Sequence, residues 1–176
     1  MSRPSVVSLL LAAWLGAGVL FAGVVAPAAF AVLPSRTLAG ALVGRVLPVL
    51  FLAGIAVAVL AFALDRASSG VYPGIRRVAL LTLVVACAAA QFGVAPRIER
   101  IRQQIDGPIE ELPRDDARRV AFGRLHAVSV GWLGLAMIAA GSVIVLSSIA
   151  RRSSRSATVG PVSTSLREPV GSAHVN

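Results

Sequence analysis

Four long apolar runs, parted by short polar stretches, set the pattern of this chain; they cover about residues 6–33, 46–64, 78–96 and 127–149. About 20 consecutive apolar residues cross a hydrocarbon core, and each run is close to that length or longer. None holds a charged side chain. The pattern predicts an all-α fold, an integral membrane four-helix bundle with antiparallel spans and an extended charged loop between helices three and four. That loop, residues 97–125, carries seven arginines and six acids. The expected organisation is one four-span domain over 1–150 and a disordered basic tail over 151–176, rich in Ser, Gly, Val and Arg and without amphipathic period.

Local signals place the bends and ends. The first run also has the Ala-x-Ala shape of a signal-peptide cleavage site at Ala29-Phe30-Ala31, but it is longer than the roughly 7–15 residues of a secretory apolar core, so an uncleaved helix is expected. Pro27 removes a backbone donor and predicts a kink. Gly16, Gly23 and Phe30 recur every seven residues, a face that a neighbouring helix can approach closely; Gly54-x-x-x-Ala58 in the second run, and Ala127, Gly134 and Gly141 in the fourth, read the same way. Either Ser35 caps a helix running into the second span, with Pro48 as a kink, or Pro48 sits in that span's first turn. Ile98, Ile101 and Ile105 continue the third helix along the interface with one apolar side. Asp106-Gly107-Pro108 stops it, and Asp115 or Asp116 starts the last helix.

Composition agrees with the pattern. The 176 residues are 56% hydrophobic and 14% charged, against roughly 45–50% and about 25% for a soluble domain. The net charge is +9, and all 17 basic residues are arginine, a usage expected of a GC-rich bacterial genome. These arginines flank the apolar runs, as membrane flanks do, and form no nucleic-acid stripe. Cys87 lies inside a run and reads as a packing residue.

In four antiparallel spans, the end of the first, the start of the second, the end of the third and the start of the fourth share one face. That mouth collects Pro27, Phe30, Arg45, Gln91, Arg97, Phe122, Arg124, His126 and Ser129. Phe122, His126 and Ser129 share one side of a helix by their spacing of four and three. His126 is the only histidine outside the tail. It reads either as an interfacial residue bonding a neighbouring backbone or Gln91, or as a proton or ligand site. No acid in the spans can orient it as a triad requires, so no enzyme is expected. One histidine in the spans, one cysteine and two methionines offer no haem pair or copper cluster, so no cofactor or metal is expected. The partners expected are the lipid bilayer and a membrane protein partner or a second copy of the chain, with no nucleic acid. The functional expectation is an accessory or structural membrane component; the alternative is solute or ion permeation through the polar mouth.

In their order, Trp14 with Gly16, Phe21, Pro27 and Phe30, then Gly40 and Gly44, then Pro96-Arg97-Ile98, then Phe122-x-x-x-His126-x-x-Ser129 resemble the transmembrane protein 205-like family over residues 8–146. The resemblance implies a small four-helix, multi-pass membrane domain of unsettled activity. Arginine counts, eight on the terminus side and nine at the mouth, barely separate the two orientations under the positive-inside rule. Arg76-Arg77 and Arg151-Arg152 directly abut spans, so cytoplasmic termini in a plasma membrane are expected.

Overall fold

The computed structural model describes residues 3–65, 73–105 and 107–158. Every described element is helical: α1 (Arg3–Leu20), a π-helical segment (Phe21–Val25), α2 (Ala26–Val32), α3 (Arg36–Asp65), α4 (Pro73–Ala88), a second π-helical segment (Ala89–Val94), α5 (Ala95–Gln103), a 3₁₀ turn (Ile109–Glu111) and α6 (Ala117–Thr158). They form four helices long and apolar enough to cross a membrane, Val6–Val32, Arg36–Leu64, Pro73–Gln103 and Ala117–Ile149, as expected of a membrane protein. α1 packs on α3 and α6, and α4 packs on α3 and α6, so consecutive spans are neighbours and the fourth closes the ring against the first.

Both π-helical segments have the same cause. Pro27 and Pro96 stand at the first positions of α2 and α5, lack an N–H, and would clash with the carbonyl four residues back. The chain widens by one residue instead: the Ala26 N–H donates to the Phe21 carbonyl and the Ala95 N–H to the Ala90 carbonyl, each five residues back. The kink expected at Pro27 is thus a π-helical widening just before it. Pro48 lies inside α3, which runs unbroken.

Ser35 settles the start of the second span. Its Oγ accepts from the Leu38 N–H at 3.2 Å, an N-cap bond, and the helix starts well before the apolar run at 46. The third and fourth helices likewise begin ahead of their apolar runs, at Pro73 and Ala117, and α6 continues past 150 to Thr158. A helix needs capped ends and satisfied backbone and is not confined to its lipid-facing stretch, so apolar runs understate helix length. Residues 159–176, with His174 and the disorder expected of them, lie outside the described residues, as do Tyr72, expected as an interfacial aromatic, and Ser68-Ser69-Gly70, expected to turn the chain.

The core stripe of α1 is Val7, Leu11, Trp14, Gly18 and Phe21, all buried. The Trp14 Nε1–H donates to the Leu50 carbonyl of α3 at 2.9 Å, which satisfies the indole in an apolar setting. Gly54 makes this approach possible: a Cβ there would stand 2.8 Å from both Trp14 Cζ2 and Cys87 Sγ. Ala58 beside it is fully buried. The other glycine faces need correction. Gly16, Gly23 and Gly134 would meet nothing within 4 Å, and Gly141 only Leu15 at 3.9 Å. At 100° per residue, Gly16 sits opposite the Trp14–Gly18 stripe, on the outside of the bundle. The close glycine of α1 is Gly18, against Met137 at 3.4 Å.

Gly54→Leu is therefore expected to overpack the centre and cost about 1–3 kcal/mol, seen as a lower thermal midpoint of the detergent-solubilised protein. Gly16→Leu should leave the midpoint within about 0.5 kcal/mol of wild type.

Candidate functional site

The loop between the third and fourth spans folds back over the mouth. Asp116 caps α6: its Oδ1 accepts from the Arg118 N–H at 2.8 Å, and its carboxylate also takes the Arg118 guanidinium, at 3.2 and 2.9 Å. These bonds, the side-chain bond to Arg118 foremost, hold the Asp116 carboxyl down at about 2. The Arg118 guanidinium also reaches the Gln104 carbonyl at 3.1 Å, and Arg119 donates to the Glu110 and Leu112 carbonyls. Thr37 of α3 donates to Glu110 Oε2 at 3.0 Å. Gly107 turns the chain at φ +128°, a conformation that favours glycine. Arginines thus satisfy loop carbonyls that no helix would, and the charged loop becomes a roof.

Arg102 joins three spans under that roof. Its Nη2 donates to the Gly40 carbonyl of α3 at 3.0 Å, and its guanidinium carbon stands 5.6 Å from the Phe122 ring centroid of α6, in cation–π range. The guanidinium fits because Gly40 and Gly44 have no side chains: a Cβ at Gly44 would lie 3.0 Å from Nη1, and one at Gly40 3.2 Å from Nη2. The Gly-x-x-x-Gly of α3 is a notch for an arginine. Phe122 also stacks on His126, with ring centroids 6.5 Å apart and planes 5° apart.

Together these groups enclose a cavity of about 580 Å³, within the usual range of small-molecule sites. Its floor is apolar, with Val43, Leu47, Pro48 and Phe51 of α3; its upper wall carries Arg36, Arg102, Arg119, Glu99 and Glu110. Two polar groups face it from the spans. Ser129 is 6% exposed and makes no hydrogen bond to a described residue. Gln91 Oε1 is buried, likewise without a partner among the described residues.

Of the residues expected at the mouth, Phe30, Gln91, Phe122, His126 and Ser129 line this cavity. Pro27, Arg45, Arg97 and Arg124 do not. Arg97 turns back along its own helix to the Gly93 carbonyl at 3.0 Å, and Pro27, Arg45 and Arg124 are exposed on the outside of the bundle. His126 is exposed and does not bond Gln91. Ile98 of α5 and Ile105 just beyond it line the cavity, so part of this apolar side faces the mouth. Sequence reasoning missed Arg102, Thr37, Glu110 and Arg119. The signal for Arg102 was the Gly40–Gly44 pair lying ahead of its apolar run, where close helix packing has least use.

A family model matches residues 9–106, more than half of the chain. The chain belongs to the family described as Domain of unknown function (DUF4149). No curated protein and no solved structure matches it. The DUF4149 stretch holds Gly40, Gly44, Gln91 and Arg102, the third-span and second-span sides of the cavity. Phe122, His126 and Ser129 follow it on α6.

The Asp116 cap gives a pH dependence with a definite sign. Its carboxyl is held below the ordinary value of about 3.9, so the stabilisation is present above that value and is lost as pH falls through about 2. Wild type should lose thermal stability between about pH 4 and pH 2. Asp116→Asn, which keeps a cap but cannot titrate, should show a shallower loss, read from thermal midpoints across that range.

Proposed function

We propose that this DUF4149 protein is a non-enzymatic, accessory component of a plasma membrane that works by holding a ligand or partner at its mouth. The observation that supports this most is the cavity itself: an apolar floor, an arginine-bearing roof, and a buried polar atom, Gln91 Oε1, without a partner among the described residues. Buried polar groups without partners carry a desolvation cost that a bound molecule removes. The relation to the transmembrane protein 205-like family belongs to this reading, as do cytoplasmic termini.

Permeation is the second reading, and the cavity is the feature that favours it, as a vestibule. Below the cavity the centre is filled by Phe51, Leu83, Cys87 and Val143, each at most 2% exposed. A conducting path lined by such groups offers ions no substitute for their hydration shell.

A photocrosslinking residue placed at His126 should capture a discrete adduct in native membranes that the same residue at the lipid-facing Ile138 does not. Proteoliposomes should pass ions and small solutes no faster than empty vesicles. A flux well above empty vesicles, abolished by Gln91→Leu, would overturn the binding reading in favour of permeation.

A further inference from the structure

The chemistry of the cavity narrows what it holds. Its lining has three arginines, Arg36, Arg102 and Arg119, against two glutamates, Glu99 and Glu110, and so a net positive charge. The glutamates are engaged: Glu110 takes the Thr37 hydroxyl and Glu99 the Gln103 amide. No carboxylate of a described residue lies in ion-pair range of Arg102. A guanidinium carries five N–H donors, and Arg102 uses one of its nitrogens on Gly40. Arg102 is half-buried, and a phosphate that takes two parallel donors is the strongest match to its planar fork.

The floor adds the second half of the ligand. Phe51, Val43 and Leu47 make it apolar, and Phe30, another lining residue, is 45% exposed on the outer surface of a helix able to cross a membrane. The cavity therefore reaches the side of the bundle where acyl chains run. Ser129 and Gln91 line the same cavity from the third and fourth spans and offer polar contacts below the arginines. The Gln91 amide N–H and the Ser129 hydroxyl can each donate to an ester carbonyl.

We infer that the mouth cavity is a site for one anionic phospholipid, with its phosphate on the Arg102 guanidinium, its ester carbonyls at the Gln91 amide and Ser129 hydroxyl, and an acyl chain along Phe51 and Phe30. This rests on the binding reading above and names its ligand class. Arg36 and Arg119 add attraction at the rim, and Gly40 and Gly44 keep Arg102 in place. The same phosphate chemistry could come from a soluble phosphate, and the apolar floor selects the lipid.

The full chain, purified in a nonionic detergent, is examined by native mass spectrometry with added phosphatidylglycerol, phosphatidylcholine or inorganic phosphate. One phosphatidylglycerol per chain should be retained, in preference to phosphatidylcholine, and inorganic phosphate in excess should not displace it. Arg102→Gln should weaken retention about ten- to hundredfold, the worth of a charge-assisted bond. Gly44→Leu, which leaves the arginine but fills its notch, should do the same. Arg124→Gln, a mouth-side arginine outside the cavity, should leave retention unchanged and controls for loss of general surface charge. Equal retention of the two lipids, indifference to both Arg102→Gln and Gly44→Leu, or displacement by inorganic phosphate overturns the inference. If a neutral or zwitterionic molecule is held instead, and is lost on Gln91→Leu, the lipid class fails while the binding reading stands. If nothing is held and position 126 captures nothing, both fail.

Discussion

The bond from Arg102 to the Gly40 carbonyl is the constraint on which the mouth depends. It ties the end of the third span to the start of the second, 62 residues apart in sequence, and its guanidinium reaches the Phe122 ring of the fourth. Two absent side chains, at Gly40 and Gly44, make room for it. An arginine here could have reached outward to water, as long basic side chains near span ends do. Turned inward, it occupies space that apolar side chains would otherwise close, and leaves a polar wall above an apolar floor. The roof is of a piece with this, because Arg118 and Arg119 also spend their donors on backbone carbonyls of the loop. Arginine is suited to this work because its donors fan out in a plane and its charge stays at any physiological pH.

Much of the fold was legible from the chain, for identifiable reasons. Span number followed from lipid thickness, and the caps at Ser35 and Asp116 followed from side chains that mimic a missing helical turn. Pro27 announced a disturbance but not its kind: the π-helical widening depends on whether neighbouring helices tolerate an extra residue, and that is a tertiary matter. The glycines show the limit more sharply. A seven-residue repeat at Gly16 and Gly23 identifies a face but not which way it points. In a soluble protein the polar residues would mark the outside. In a span that is apolar all round, inside and outside carry the same residue types, and the Trp14–Phe21 stripe could be separated from its opposite only by seeing which one the third and sixth helices cover.

The cavity was legible only in part, and the part follows one rule. Residues drawn to the mouth by span parity alone were placed at the right level, but parity fixes height and leaves rotation about each helix axis open. Phe30, Gln91, Phe122, His126 and Ser129 line the cavity; Pro27, Arg45, Arg97 and Arg124 do not. Arg102 escaped notice because it lies in a helix expected to rest along an interface, where an arginine needs no partner. Its partner is a carbonyl, which leaves no trace in sequence.

Backbone irregularity and polarity coincide in this bundle, and a physical reason connects them. In lipid, a proline's lost hydrogen bond must be made good within the protein or beside a water-accessible space. Pro27 and Pro96 each stand at the mouth end of a span, next to π-helical turns whose fourth-neighbour bonds are shifted to fifth neighbours. Gln91 falls within the second of these turns, and the widened backbone carries its side chain to the cavity and not into the packed seam below, where Leu83 and Cys87 close the core. Had the third span been a regular α-helix through that point, each extra residue of the wide turn would be undone and the side chains beyond it would rotate by about 100°. Arg102, eleven residues on, would then leave the Gly40–Gly44 notch. Pro96 thus acts at a distance on the arginine: it sets the turn that sets the register that brings the guanidinium to the second span.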